Sequence, residues 1–447
     1  MAAPKYVAGV DSSTQSCKVL IMDPLTGEIV REGKANHPDG TEVDPEAWWQ
    51  AFLEAVDAAG GLDDVAALSV SGQQHGMVCL DENGEVIRPA LLWNDTRSAE
   101  AAEDLIVELG DGDRAQGEAR WANLTGSVPV ASITATKLRW LADAEPENAA
   151  KIAAVCLPHD WLTWKIAGAP SLKALTTDRS DASGTGYMSR LEPVYLPDLL
   201  GLALRREDVS DIVLPKILDP FEDAGHGDAA RGWDHVLLGP GAGDNAGAAL
   251  GIGLTSGEAA LSIGTSGVAS VVSDQSVADP TGTIDGFTDA TGRWLLLAVT
   301  LNASRILDAI AAIIDADYEE LDELALSVPD TGGLELIPYF EGERTPNLPT
   351  ATATLSGMTL ANSTRAHVAR AGVEGLLNHM RFALDAVRDL GVPIEKVYLI
   401  GGGAKSRAVR ELAPQFLDAN VEVPPTAEYV ALGAARQAAQ VLAASDK

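Results

Sequence analysis

Asp11-Ser12-Ser13-Thr14-Gln15-Ser16 interrupts apolar, strand-like sequence near the start of the chain, and Ser262-Ile263-Gly264-Thr265-Ser266-Gly267 does the same about 250 residues later. In the first copy Tyr6 to Val10 leads into the polar turn, Cys17 to Met22 leads out, and Asp23-Pro24-Leu25-Thr26-Gly27 reverses the chain again. In the second, Glu258 to Leu261 enters and Val268 to Val272 leaves. Small residues and hydroxyls at a hairpin tip let backbone N–H and side-chain O–H groups converge on an anion with no Cβ in the way. One such tip is an ordinary tight turn. Two read as a duplicated phosphate grip able to hold a nucleoside triphosphate between them, so phosphoryl transfer is the first expectation.

The chain has 447 residues, too many for one ordinary core, and two domains are expected, residues 1–238 and 239–447. Strand-like and helical runs alternate, which predicts an α/β fold. Helices are expected over Pro45 to Ala59, with Asp44 as N-cap and Pro45 in the first turn, over Ser98 to Leu109, Ile133 to Asp143 and Asp160 to Ile166. A long amphipathic helix from Arg365 to Leu390 repeats Val368, Gly372, Leu376, Met380, Leu384 and Val387 at helical spacing, and Gly391 stops it. His379 and Met380 on it read as surface and packing residues. Leu196 to Asp234, rich in Pro, Asp and Gly, reads as the approach to a domain boundary.

A formal charge of −33 repels nucleic acid and anionic lipid, and neither is expected as a partner. A phosphorylated ligand is still compatible, because backbone amides, helix ends and Mg²⁺ can hold it without basic side chains. Cys17, Cys79 and Cys156 are too few and too widely spaced for a disulfide frame or a zinc site. They read as buried apolar residues in a reducing compartment. With no targeting segment or apolar stretch near 18 residues, the expectation is a cytoplasmic protein.

Gly239-Pro240-Gly241-Ala242-Gly243-Asp244-Asn245-Ala246-Gly247 sets one acid among residues of almost no bulk, at the start of helical text. There a carboxylate gains about 0.3 to 1 kcal/mol from the helix end, and the alternative reading of Asp244 is a plain N-cap. Phosphoryl transfer to an alcohol needs an acceptor for the hydroxyl proton and a metal to neutralise charge. Asp244 suits the base, or a combined base and metal-positioning role, and Asp11 suits a metal held through water. Ser71-Gly72-Gln73-Gln74-His75-Gly76-Met77 follows an apolar strand and offers amide and imidazole groups suited to a polyhydroxylated ligand. Leu92-Trp93-Asn94-Asp95-Thr96-Arg97 adds an aromatic plate beside polar hooks. Gly401-Gly402-Gly403-Ala404-Lys405-Ser406, between a strand and a helix, lacks the Walker spacing and the full dinucleotide fingerprint.

In this order these segments, together with Asp178 to Thr185 and Glu341-Gly342-Glu343-Arg344-Thr345-Pro346, resemble the FGGY carbohydrate kinases over nearly the whole chain, and among them the members acting on xylulose. The resemblance implies two actin-like, ribonuclease-H-like domains with a ligand cleft between them. It implies ATP and Mg²⁺, with D-xylulose phosphorylated at its terminal hydroxyl. Carried over residue by residue, it makes Asp244 the catalytic base and Asp11 the metal-side carboxylate. Gln74, His75, Trp93, Asn94, Asp244 and Asn245 would line the sugar site, and Thr14, Gly264, Thr265, Gly401, Gly402 and Ala404 would contact the nucleotide. Relatives are often dimers, so a homodimer is expected. The segment between Gly186 and Asp234 is thin against the family pattern. Two other readings stay open: a kinase for another ketose or a sugar acid such as ribulose or gluconate, and an actin- or chaperone-like ATPase.

Overall fold

The computed structural model describes residues 5–445, and the chain divides into two compact units. The first runs through Gly253 and takes in Gly286–Trp294 and the stretch from Ala427 onward; the second is Leu254–Asp285 with Leu295–Thr426.

At the centre of the first unit, β1 (Tyr6–Ser12) runs antiparallel to β2 (Ser16–Met22), which in turn pairs antiparallel with β3 (Ile29–Asn36). On its other side β1 pairs in parallel with β4 (Val65–Gly72), whose free edge takes β5 (Leu237–Leu238) and β6 (Ala242–Gly243), both parallel. β1 and β4 are buried almost throughout, as continuous apolar sequence in a covered sheet should be. The charged strand β3 lies at the edge, where its side chains discourage pairing with another chain. Helix Pro45–Ala58 starts as expected, with the Asp44 carboxylate accepting the Glu46 N–H at 3.0 Å. It buries Trp48, Trp49 and Phe52, each contributing about 2 to 3 kcal/mol of apolar burial.

The unit boundary lies elsewhere than the expected 238/239 division. Residues 239–253 stay with the first unit because β6 extends its sheet and helix Asp244–Ile252 packs on the C-terminal helix Tyr429–Ser445. Gln437 of that helix clasps Gly241: its Nε2 donates to the Gly241 carbonyl at 2.7 Å and its Oε1 accepts the Gly241 N–H at 3.1 Å. The thin stretch is ordered into helix Pro197–Leu204, packed on helix Thr134–Ala144, and a short strand, Lys216–Ile217.

The second unit repeats the connectivity. β7 (Glu258–Ile263) runs antiparallel to β8 (Gly267–Ser273), which is flanked by β9 (Trp294–Thr300). β7 is parallel to β10 (Lys396–Ile400), and β10 to β11 (Asn420–Glu422). The order β9-β8-β7-β10-β11 therefore repeats β3-β2-β1-β4-β5, the duplicated ribonuclease-H-like arrangement of the actin-like class. Helix Arg365–Asp389 is as long as its periodicity predicts, capped by Thr364 and followed by Gly391 at φ 84°. His379 on it is buried, not at the surface. Cys17, Cys79 and Cys156 are buried and free, and among the described residues no helix is long and apolar enough to cross a membrane.

Candidate functional site

In the first unit three parallel strands end together. Asp11 on β1 lies in register with Ser71 on β4, and Gly72, at the end of β4, pairs with Ser12 on one side and Gly243 on the other. Asp11 thus flanks one side of the β4 terminus, and Asp244, one residue beyond Gly243, follows on the other. Strand ends of open α/β sheets are where ligands are met.

Both carboxyls are shifted upward, and Asp244 senses the charge of Asp11. Burial pushes Asp11 up to about 6, opposed by the hydroxyl of Ser13, which donates to its Oδ1, and by the charge of Lys18. Enclosure by protein pushes Asp244 up to about 7, and the negative charge of Asp11 adds to it. The surface of Asp244 is nonetheless partly accessible. Its Oδ1 accepts from the Asn245 backbone N–H at 2.8 Å and from Asn245 Nδ2 at 3.0 Å, and among the described residues Oδ2 takes no hydrogen bond. Asp244 opens helix Asp244–Ile252, with Gly243 as the cap residue.

Around this pair stand the polar hooks. Gln74 is buried, and its Oε1 accepts from Asn245 Nδ2 at 3.1 Å. The contact needs glycine at 243, where a Cβ would come within 2.8 Å of the Gln74 amide carbon. His75 sits in the left-handed region at φ 66°, its Nδ1 2.8 Å from the Gly184 carbonyl and its ring beside Phe287. Lys137 and Thr134 both donate to the His75 carbonyl at 3.2 Å. Trp93 is 47% exposed, and its Nε1 donates to Thr14 Oγ1 at 2.8 Å, so the aromatic plate and the first polar turn are one piece. Asn94 Oδ1 is buried without a hydrogen-bond partner, an acceptor available to a ligand donor.

The second unit gathers the other candidates. The Ser262–Gly267 turn closes with the Gly264 N–H donating to the Ser266 carbonyl at 3.1 Å. Its carbonyls at Gly264 and Thr265 take the Ser304 and Ala303 N–H groups at 2.7 and 3.2 Å. Ile400 pairs with Ser262, which brings the glycine loop against the same turn. Gly401 has φ 87°, and a Cβ there would lie 2.8 Å from the Ile263 carbonyl oxygen, whereas Gly402 faces open space. Ala404 is buried in the following 3-10 turn. The thirteen candidate residues thus form two groups, eight in the first unit and five in the second.

A model of the FGGY family of carbohydrate kinases, N-terminal domain, matches residues 6–251, and one of its C-terminal domain matches residues 259–441. The chain belongs to the FGGY family of carbohydrate kinases. It is 43% identical to a xylulose kinase of Streptomyces coelicolor over 98% of this chain and 89% of that protein. A xylulose kinase of Escherichia coli is 33% identical over 98% of this chain and 90% of its own length. The crystal structure of a xylulose kinase from Bifidobacterium adolescentis superposes with a TM-score of 0.94 at 52% identity, covering 99% of this chain and 94% of the other.

Three features of this family member were not read from the sequence. Lys137 is fully buried, with burial lowering its ammonium to about 7 against the charge of Asp95, and it holds the His75 backbone. Its only sequence signal is a lysine within an apolar helical face. His159 is fully buried, with its Nε2 3.3 to 3.4 Å from carboxylate oxygens of Asp160, Asp178 and Asp181. Glu343 is the third: it binds the Leu301 N–H, Asn302 Nδ2 and His379 Nε2.

Proposed function

We propose that this carbohydrate kinase transfers the γ-phosphoryl group of ATP to the terminal hydroxyl of D-xylulose, giving D-xylulose 5-phosphate and ADP. The observation that carries the reading is Asp244: a carboxyl held near neutrality, with one oxygen occupied by Asn245 and the other without a partner, beside amide hooks. The sugar follows from the names of the relatives that match along the whole chain.

In this reading Asp244 Oδ2 accepts the proton of the sugar hydroxyl as its oxygen forms a bond to the γ-phosphorus and the bond to the β-phosphate oxygen breaks. Gln74, His75, Trp93, Asn94 and Asn245 orient the ketose, while Thr14, Gly264, Thr265, Gly401, Gly402 and Ala404 receive the nucleotide. Two mutually repelling carboxyls, Asp11 and Asp244, fit a divalent cation. In this reading Mg²⁺ is carried chiefly by phosphates and waters. When bound, the ion neutralises charge on the phosphates. The reading also carries a cytoplasmic homodimer, to be checked by fractionation and light scattering.

ADP release across a panel of pentuloses, hexuloses, glycerol and gluconate, with a control lacking sugar, tests the proposal. Stimulation by xylulose is the expected result. Equal turnover without sugar would instead support an ATPase cycle, and stimulation by a different sugar would reassign the substrate. Asp244→Ala should abolish transfer while leaving ATP affinity within a few-fold.

A further inference from the structure

The loop Leu301–Ala303 sits between the Gly264–Thr265 turn and a buried carboxylate. On one side Ala303 and Ser304 donate their N–H groups to the Thr265 and Gly264 carbonyls, and the Gly267 N–H donates to Thr300 Oγ1 at 3.2 Å. On the other, Glu343 takes the loop's remaining donors. Its Oε1 accepts the N–H groups of Leu301 at 2.6 Å, Arg344 at 2.7 Å and Thr345 at 3.4 Å. Its Oε2 accepts the Asn302 N–H at 3.2 Å, Asn302 Nδ2 at 2.8 Å and His379 Nε2 at 2.8 Å. Glu343 is 1% exposed and Asn302 fully buried, so water replaces none of these bonds.

Every group facing Glu343 is a donor. Burial works against its charge, yet the His379 and Asn302 bonds outweigh it and hold the carboxyl at about 2. A neutral amide cannot take its place, because whichever way it is turned its NH₂ meets N–H groups.

We infer that Glu343 is a positioning residue for nucleotide binding: braced by His379, it fixes Leu301–Asn302, and through Ala303–Ser304 it sets the Gly264–Thr265 turn in the shape that receives phosphate. The inference rests on the proposed nucleotide role of that turn. It places the purpose of the Glu341–Pro346 segment inside the second unit, in a hydrogen-bond hub, and assigns Asn302 an indirect part.

The test compares wild type with Glu343→Gln in calorimetric ADP binding, in separate KM values for ATP and sugar, and in hydrogen exchange by mass spectrometry. The expected result is ADP affinity and KM for ATP weakened about ten-fold or more, the size of one lost charge-assisted hydrogen bond, with KM for the sugar within two-fold. Faster exchange should be confined to peptides covering 262–268, 300–305 and 343–346, the last because Glu343 itself accepts the Arg344 and Thr345 N–H groups. Unchanged ADP binding overturns the inference. So does exchange accelerated equally along helix Arg365–Asp389, which marks a merely structural role. If Glu343→Gln fails to fold, Asn302→Ala, which removes only the Nδ2 bonds, should show the same selective loss at smaller size, and equal ADP binding in that variant overturns the inference. Wild type that binds no ADP would refute the proposed function itself, a separate outcome.

Discussion

Asp244→Asn should remove activity and, above neutral pH, stabilise the fold. A carboxyl whose pKa is raised on folding stays protonated where the unfolded chain has already ionised, so unfolding releases a proton and stability falls as pH rises. For Asp244 that interval runs from its ordinary 3.8 to about 7. About 3 pH units at about 1.36 kcal/mol each set a ceiling of about 4 kcal/mol, and partial solvent access reduces this to about 2. Asparagine keeps the Oδ1 acceptor for Asn245 and carries no charge at any pH. The advantage of the variant over wild type should therefore be small near pH 5, grow through pH 7 and level off above it. Eight of the nine tryptophans lie well inside the first unit and the ninth, Trp294, at its border where β9 begins, so tryptophan fluorescence during urea unfolding, in chelator without nucleotide, chiefly reports the unit that holds Asp244. An advantage that is constant with pH, or larger at pH 5, would refute the view that enclosure and Asp11 hold this carboxyl near neutrality.

Other outcomes follow from the same geometry. At limiting magnesium, kcat/KM for the sugar should fall about ten-fold per pH unit below about 7 as Asp244 takes up its proton, and a profile flat to pH 5 would exclude it as the base. Trp93→Phe loses the Nε1 bond to Thr14 and should raise the sugar KM about 2- to 10-fold without changing the melting temperature, measured by steady-state kinetics and calorimetry. Gly402→Ala should leave stability within about 0.5 kcal/mol because its Cβ meets nothing. Gly401→Ala, at φ 87° and against the Ile263 carbonyl, should cost about 1 to 2 kcal/mol or more in denaturant unfolding.

Much of the fold was legible because its signals are local. The Asp44-Pro45 helix start, the periodicity from Arg365 and the stop at Gly391 act over a few residues, and the structure reproduces them. The duplicated turns were legible for the same reason. The domain division was less so: a helix near the C-terminus returns to the first unit, held by the Gln437 clasp on Gly241, and nothing near residue 437 announces a partner at 241. His379 illustrates the same limit, since its buried bond to Glu343 joins residues 36 apart in the chain.

The sequence by itself determined which residues could grip phosphate, accept a proton or hook a sugar, because those capacities belong to side-chain chemistry and to short turns of glycine and hydroxyl residues. Only the tertiary structure decided what surrounds each of them. Asp244 is raised to about 7 because the fold encloses it near Asp11 at converging strand ends, and Gln74 meets Asn245 across 171 residues of sequence. Trp93 closes on Thr14 across 79. Solvation and charge coupling depend on distance in space, and register between strands far apart in the chain sets that distance.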